Sequence, residues 1–271
     1  MKRLSWFVFF SIFTLSCLDQ PDCYQLNNNE MVISFRIIGG GNDTYLSAGI
    51  TASGTDRIFI KDTAASSVAL PLNPYEKQIR YTFPGIFGVG PAVVKTLDLT
   101  YKSLVQFVSE DCGERFVFSN LAVDTSAVDD FDDYRIVNAV PTNPKSLNLE
   151  LYRCPVTNLL YLDFVGDLPI DKIQIGAGPE LTVTEETLSS VLLPLDTAAS
   201  SSSYTFKYRD GESDGLTVNY VRTTKAISPK CGPQIFIGQL AFDSVRTTFT
   251  KFTVLKDSIY DLPQFNLELT R

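Results

Sequence analysis

The chain has 271 residues, 44% apolar and 20% charged, enough to bury a core in each of two domains and too apolar for a disordered chain. It carries 23 Lys and Arg against 31 Asp and Glu, a formal charge of −8 with a pI near 4.7, which is a poor match for the basic footprint of a nucleic-acid binder. Histidine is absent, which excludes Ser-His-Asp and Cys-His nucleophile pairs, histidine-ligated metals and imidazole acid–base catalysis.

The chain opens on Lys2 and Arg3, followed by a mostly apolar run from Leu4 to Leu15. At about 1.5 Å per residue this run spans roughly 18 Å, short of a bilayer core of about 30 Å, so it reads as the h-region of a signal peptide. It ends Thr14-Leu15-Ser16-Cys17, which resembles a bacterial lipobox. Leu15 stands two residues before the cysteine, and Thr14 takes the place that the commonest lipobox gives to leucine. Residues 1–16 are then the signal peptide, Cys17 the lipidated first residue of the mature chain, and 17–22 a short tether. No second long apolar run follows, so the expected membrane attachment is the N-terminal lipid alone.

Gly39-Gly40-Gly41 reads as a turn, because no lysine or helix start follows to bind phosphate. Phe83-Pro-Gly-Ile-Phe-Gly-Val-Gly-Pro91 reads as an apolar loop between two strands, unusual because loops tend to be polar. Two readings compete there: Ile86, Phe87 and Val89 contact a partner protein or lipid, or the loop packs on the second unit. Asp129-Asp130-Phe131-Asp132-Asp133 lacks the glycine and distal glutamate of a calcium loop and reads as a solvated acidic loop, with no metal expected.

The C-terminal half shows short alternating or apolar runs at Asn158–Val165, Asp171–Gly176, Ser190–Leu195, Ser203–Arg209, Gly215–Arg222, Gln234–Phe242, Phe249–Lys256 and Phe265–Thr270. Asp210-Gly211 and Asp214-Gly215 read as turns, Ser200–Ser203 as a loop, and the stretch from Val183 to Ser189 as at most one helical turn. Four triplets of Asp, then Ser or Thr, then an apolar residue resemble the O-glycosylation motif of exported Bacteroidota proteins, at Thr63, Thr197, Ser244 and Ser258. The first two fall in Ser/Ala-rich loops, where a bulky glycan fits best.

The chain also repeats itself. Ser67-Val-Ala-Leu-Pro-Leu72 and Tyr81-Thr-Phe83 match Ser190-Val-Leu-Leu-Pro-Leu195 and Tyr204-Thr-Phe206 at an offset of 123. Leu97–Gly113 matches Leu216–Gly232 at 119, and Asn148-Leu-Glu-Leu151 matches Asn266-Leu-Glu-Leu269 at 118. A period near 120 residues is that of a domain, which gives units 23–153 and 154–271 with no Gly/Ser or Pro-rich linker between them. Five cysteines are present, at 17, 23, 112, 154 and 231. With Cys17 lipidated, the repeat pairs Cys23 with Cys112 and Cys154 with Cys231, one disulfide in each unit of an exported protein. The expected fold is all-β: two tandem antiparallel sandwiches, immunoglobulin-like or transthyretin-like.

The lipobox cysteine, the cysteine opening each unit, Pro71-Leu72-Asn73-Pro74, the Tyr-Thr-Phe strand and Ile227-Ser-Pro-Lys-Cys-Gly232 together resemble a family of Bacteroidota lipoproteins known as a domain of unknown function. Most members have one such unit; two would be a departure. The resemblance implies an envelope lipoprotein with no assigned catalytic residues and no cofactor. The leading expectation is a non-catalytic lipoprotein, anchored to the outer membrane, that binds another envelope component, with an envelope protein as the expected partner. The alternative is a cell-surface glycan-binding module, disfavoured because the one tryptophan, Trp6, leaves with the signal peptide. A hydrolase built on paired carboxylates is a weak third, since no motif places them.

Overall fold

A computed structural model describes residues 29–88, 92–110, 113–124, 130–141, 146–178, 180–243, 249–259 and 265–271. Among them every regular element is a strand. The first ten are β1 (Glu30–Ile37), β2 (Tyr45–Ser47), β3 (Thr51–Ala52), β4 (Thr63–Ala65), β5 (Ser67–Pro71), β6 (Gln78–Phe87), β7 (Ala92–Ser109), β8 (Gly113–Val123), β9 (Asp133–Ile136) and β10 (Leu147–Arg153). They form one sheet ordered β5-β1-β10-β9 and another ordered β4-β2-β6-β7-β8, with β3 on β6. The next ten are β11 (Leu159–Leu168), β12 (Ile170–Ile175), β13 (Glu180–Thr182), β14 (Leu188–Pro194), β15 (Ser201–Tyr208), β16 (Ser213–Ser228), β17 (Gly232–Asp243), β18 (Lys251–Val254), β19 (Ser258–Ile259) and β20 (Leu267–Thr270). Their sheets are ordered β14-β11-β20-β18 and β13-β12-β15-β16-β17-β19.

Among the described residues the pairing is antiparallel with two exceptions, which occupy corresponding places. β1 pairs with β10, and β11 with β20, in parallel. In each half the first and last strands therefore run side by side in one direction, so the chain enters at one end and leaves at the other.

The core follows from period-two alternation, which turns every second side chain inward. Tyr81, Phe83 and Phe87 of β6 meet Phe35, Tyr45, Phe118 and Leu151 in one buried cluster within residues 31–151. Tyr204 and Phe206 of β15 meet Leu162, Val218, Ile237 and Leu269 in a second within residues 160–269.

The repeated motifs have physical reasons. Tyr81 donates its hydroxyl to the Pro71 carbonyl at 2.5 Å, and Tyr204 donates to the Pro194 carbonyl at 2.8 Å. Each bond ties one sheet to the other, which explains why a Leu-Pro-Leu strand and a Tyr-Thr-Phe strand occur together. Asn148 sits where the β1–β10 register shifts, and its side-chain oxygen accepts the Val32 N–H at 2.9 Å. Asn266 does the same for the Tyr161 N–H at 2.9 Å. Asn120 (φ 55°) and Gln239 (φ 54°) adopt the left-handed conformation inside β8 and β17, at bulges opposite Tyr101 and Tyr220. Such a bulge bends its strand. Beyond it, β7 pairs with β8 alone, as an arm of residues 102–109 and 113–119, and β16 continues with β17 as an arm of 221–238.

Several local expectations are corrected. Phe83–Phe87 belongs to β6 and is not a loop, because the alternation of Tyr81, Phe83, Gly85 and Phe87 continues inward to the strand's end. A Cβ on Gly85 would lie 2.2 Å from the Leu46 carbonyl oxygen, so the close approach of β2 requires glycine there. Asp214-Gly215 lies within β16, where the buried Asp214 carboxylate accepts the Tyr208 hydroxyl at 2.8 Å across the hairpin. The turn falls at Asp210-Gly211, as expected. Ser201–Ser203 are strand residues, and Ser202 is held at 2.8 Å by Tyr220. Val183–Ser189 contains no helical turn. Gly39–Gly41 is the expected turn, closed by the Ile37 N–H on the Gly41 carbonyl at 3.1 Å.

Candidate binding face on the first sheet

The outer face of β2, β6 and β7 is built by the residues that alternate with the core. Register places Ala64, Leu46, Ile86 and Ala92 in one row across four strands. Pro84 and Val94 form the row beneath. Leu46 is 45% exposed and Val94 63%. Leu46, Pro84, Ile86, Ala92 and Val94 line a shallow cleft of about 510 Å³, with Asp62 and Ser47 as its polar members. Farther along the same face the rows become Thr82–Thr96 and then Arg80–Asp98, a two-bond ion pair at 2.7 and 2.9 Å.

The corresponding face of the other half is charged. Its rows run Lys172–Lys207–Ser213 and Gln174–Thr205–Gly215, and Glu180 pairs with both Lys172 and Lys207. These lysines hold the Glu180 carboxyl below its ordinary pKa, Lys207 most strongly. One architecture thus carries two different outer faces, so packing alone does not demand the apolar one. A contiguous exposed apolar patch is informative where scattered apolar residues are not.

The residues expected from sequence separate in space. Ile86 is half-buried on the apolar face. Phe87 points the other way, is 4% exposed, and stacks on Tyr45 at 4.5 Å, so it is a core residue and no partner contact. A strand cannot turn neighbouring side chains to the same side. Val89 lies outside the described residues. Leu46, Pro84 and Val94 were missed; reading Gln78–Phe87 as a strand would have exposed Pro84 and Ile86 as its outward set.

Cys154 and Cys231 are bonded, with Cα atoms 5.6 Å apart. Cys17, Cys23, Cys112 and Ser244 lie outside the described residues. Thr63 is exposed, but in the edge strand β4 and not in a loop. Thr197 is half-buried in the β14–β15 loop, and Ser258 is half-buried in β19. The acidic stretch is anchored where it is described. Phe131 is 6% exposed and packs edge-on against Phe83 and Phe87. Asp130 accepts from the Thr96 N–H at 2.9 Å, and Asp132 from the Cys154 N–H at 2.6 Å. Among the described residues no group of acidic or sulfur ligands is placed to hold a metal ion.

Glu150 is among the buried charged groups. It is 1% exposed and meets Arg135 at 2.6 Å, Arg36 at 3.3 Å and the Tyr152 hydroxyl at 2.6 Å. Burial pushes its pKa up, and the Tyr152 hydroxyl and the two arginines outweigh this and hold it below the ordinary value.

Residues 47–153 match a family of unknown function, DUF6452. No curated protein matches the chain. Among solved structures the chain aligns with the pilus adhesin SpaC from Lactobacillus rhamnosus GG at 10% identity and a TM-score of 0.23. The alignment covers 89% of this chain and 31% of the adhesin, so the chain spans about a third of that protein's length. A superposition at that score carries no argument.

Proposed function

We propose that this chain is a non-catalytic envelope lipoprotein of Bacteroidota type, with two copies of one domain in tandem, whose apolar face around Ile86 binds an envelope protein. The single observation behind the binding role is the contrast between the two outer faces: Ala64, Leu46, Ile86, Ala92 and Val94 on one, Lys172, Lys207 and Glu180 on the other. A contiguous exposed apolar patch is a mark of interaction sites, and a partner's own apolar surface would cover it. The tandem copies are supported by the matching sheet orders, the paired Tyr-to-Pro bonds and the paired asparagines. The lipid anchor is supported by the sequence up to Cys17.

The test is co-purification from the native envelope after mild solubilisation, with the wild-type chain and an Ile86→Ser/Leu46→Ser variant side by side. A stoichiometric envelope protein retained by the wild type and lost by a variant with unchanged melting supports the reading. A partner retained equally by both, or none with either, overturns it. In the same cells, Cys17→Ala should release the protein from the membrane fraction.

A further inference from the structure

We infer that the β16–β17 arm is a strut that fixes the second half of the molecule against the first. This inference is independent of any partner. The arm runs back from the bulge at Gln239 toward the point where the chain leaves β10. Its tip residue Cys231 is bonded to Cys154, which directly follows Arg153, the last residue of β10. The disulfide therefore pins the tip at the junction itself.

Other contacts join the same place, and several cross it. Ile227 Cγ2 lies 2.8 Å from where a Cβ on Gly39 would stand, so the arm packs on the turn that follows β1. Gly39 has φ of 73°, which favours glycine, and the contact leaves no room for a side chain. Lys230 Nζ stands 3.8 Å from Asp133 Oδ1, an exposed pair that orients more than it stabilises. Asp132 accepts the Cys154 N–H at 2.6 Å, and the Ile38 N–H donates to the Arg153 carbonyl at 2.9 Å. Arg153 also donates to the Cys154 carbonyl at 3.1 Å.

A connection from Arg153 to Leu159 would by itself let two domains swing, and relative motion is the default for weakly joined domains. Here the second half reaches back with an arm whose tip is bonded to Cys154, beside Arg153, and which meets Gly39 and Asp133 of the first half. Because the chain enters and leaves each half at opposite ends, this strut holds them end to end as a rod.

The full-length chain, spin-labelled through non-natural residues at Thr55 and Glu185, both exposed, reads the geometry as a distance distribution. The wild type should give one narrow peak. Cys154→Ser/Cys231→Ser should lose that peak to a broad distribution and shift the maximum dimension in small-angle scattering upward. Gly39→Val, which keeps the disulfide, should shift the peak by forcing Ile227 aside. A broad wild-type distribution overturns the inference without any variant. So does a double variant that folds and keeps the wild-type peak.

Discussion

Asp43 and Arg153, 110 residues apart in sequence, are joined by two hydrogen bonds of 2.6 and 2.8 Å and are 2% and 7% exposed. The pair ties the chain just after β1 to the last residue of β10. A Cβ on Gly88 would lie 2.0 Å from Arg153 Nη2, so the guanidinium occupies space that glycine leaves open. Removing one partner strands a buried charge. Arg153→Met should lower the unfolding free energy by about 3–5 kcal/mol in urea titration. Asp43→Asn combined with it should recover part of that loss. A single variant within about 0.5 kcal/mol of wild type would show the pair is hydrated in solution.

Phe87 and Ile86 are adjacent and should respond oppositely. Phe87→Ala empties a core position between Tyr45, Phe35 and Phe131 and should cost about 3–5 kcal/mol. Ile86→Ser, on the outer face, should change stability by less than about 1 kcal/mol. Comparable denaturation midpoints for the two variants would contradict the strand register.

Asn148 and Asn266 are 0% and 4% exposed, and their amide groups also donate, Asn148 to the Asn138 carbonyl at 3.3 Å and Asn266 to the Ser258 carbonyl at 3.2 Å. Replacement by leucine leaves the Val32 or Tyr161 N–H unmet. Either variant should lose about 1–3 kcal/mol, each measured by chemical denaturation. Losses in only one of the two would show that the matching geometries are not energetically equivalent.

Alkaline pH should destabilise the fold. Burial pushes the phenols of Tyr81, Tyr204 and Tyr208 well above their ordinary value, with Tyr101 adding to it at Tyr81 and Asp214 at Tyr208. A raised native value means that the folded state keeps a proton the unfolded state releases. Stability is therefore complete below the unfolded value of about 10 and declines as pH rises past it. Melting temperature followed from neutral pH upward should fall beyond that point, and Tyr204→Phe should make the fall shallower while lowering stability at neutral pH. On the acid side the depressed Glu150 acts in reverse: its contribution is present above the ordinary glutamate range and fades as the pH drops through its native value.

The all-β class, the repeated motifs and the Cys154–Cys231 bond were legible in the chain alone, because period-two alternation and recurring residues are local or self-comparing signals. The sequence also pointed to Ile86, but through a mistaken loop: Pro84 and Gly85 looked like turn residues, whereas Gly85 serves a close approach to Leu46 that no single strand reveals. The alternation of Leu46, Ile86 and Val94 was written in three separate segments, and only strand pairing brought them onto one face. The same is true of Asp43 with Arg153 and of Ile227 with Gly39. These contacts join positions more than a hundred residues apart, and their partners are chosen by sheet register and by the parallel pairing of first and last strands. Local composition carries no trace of either.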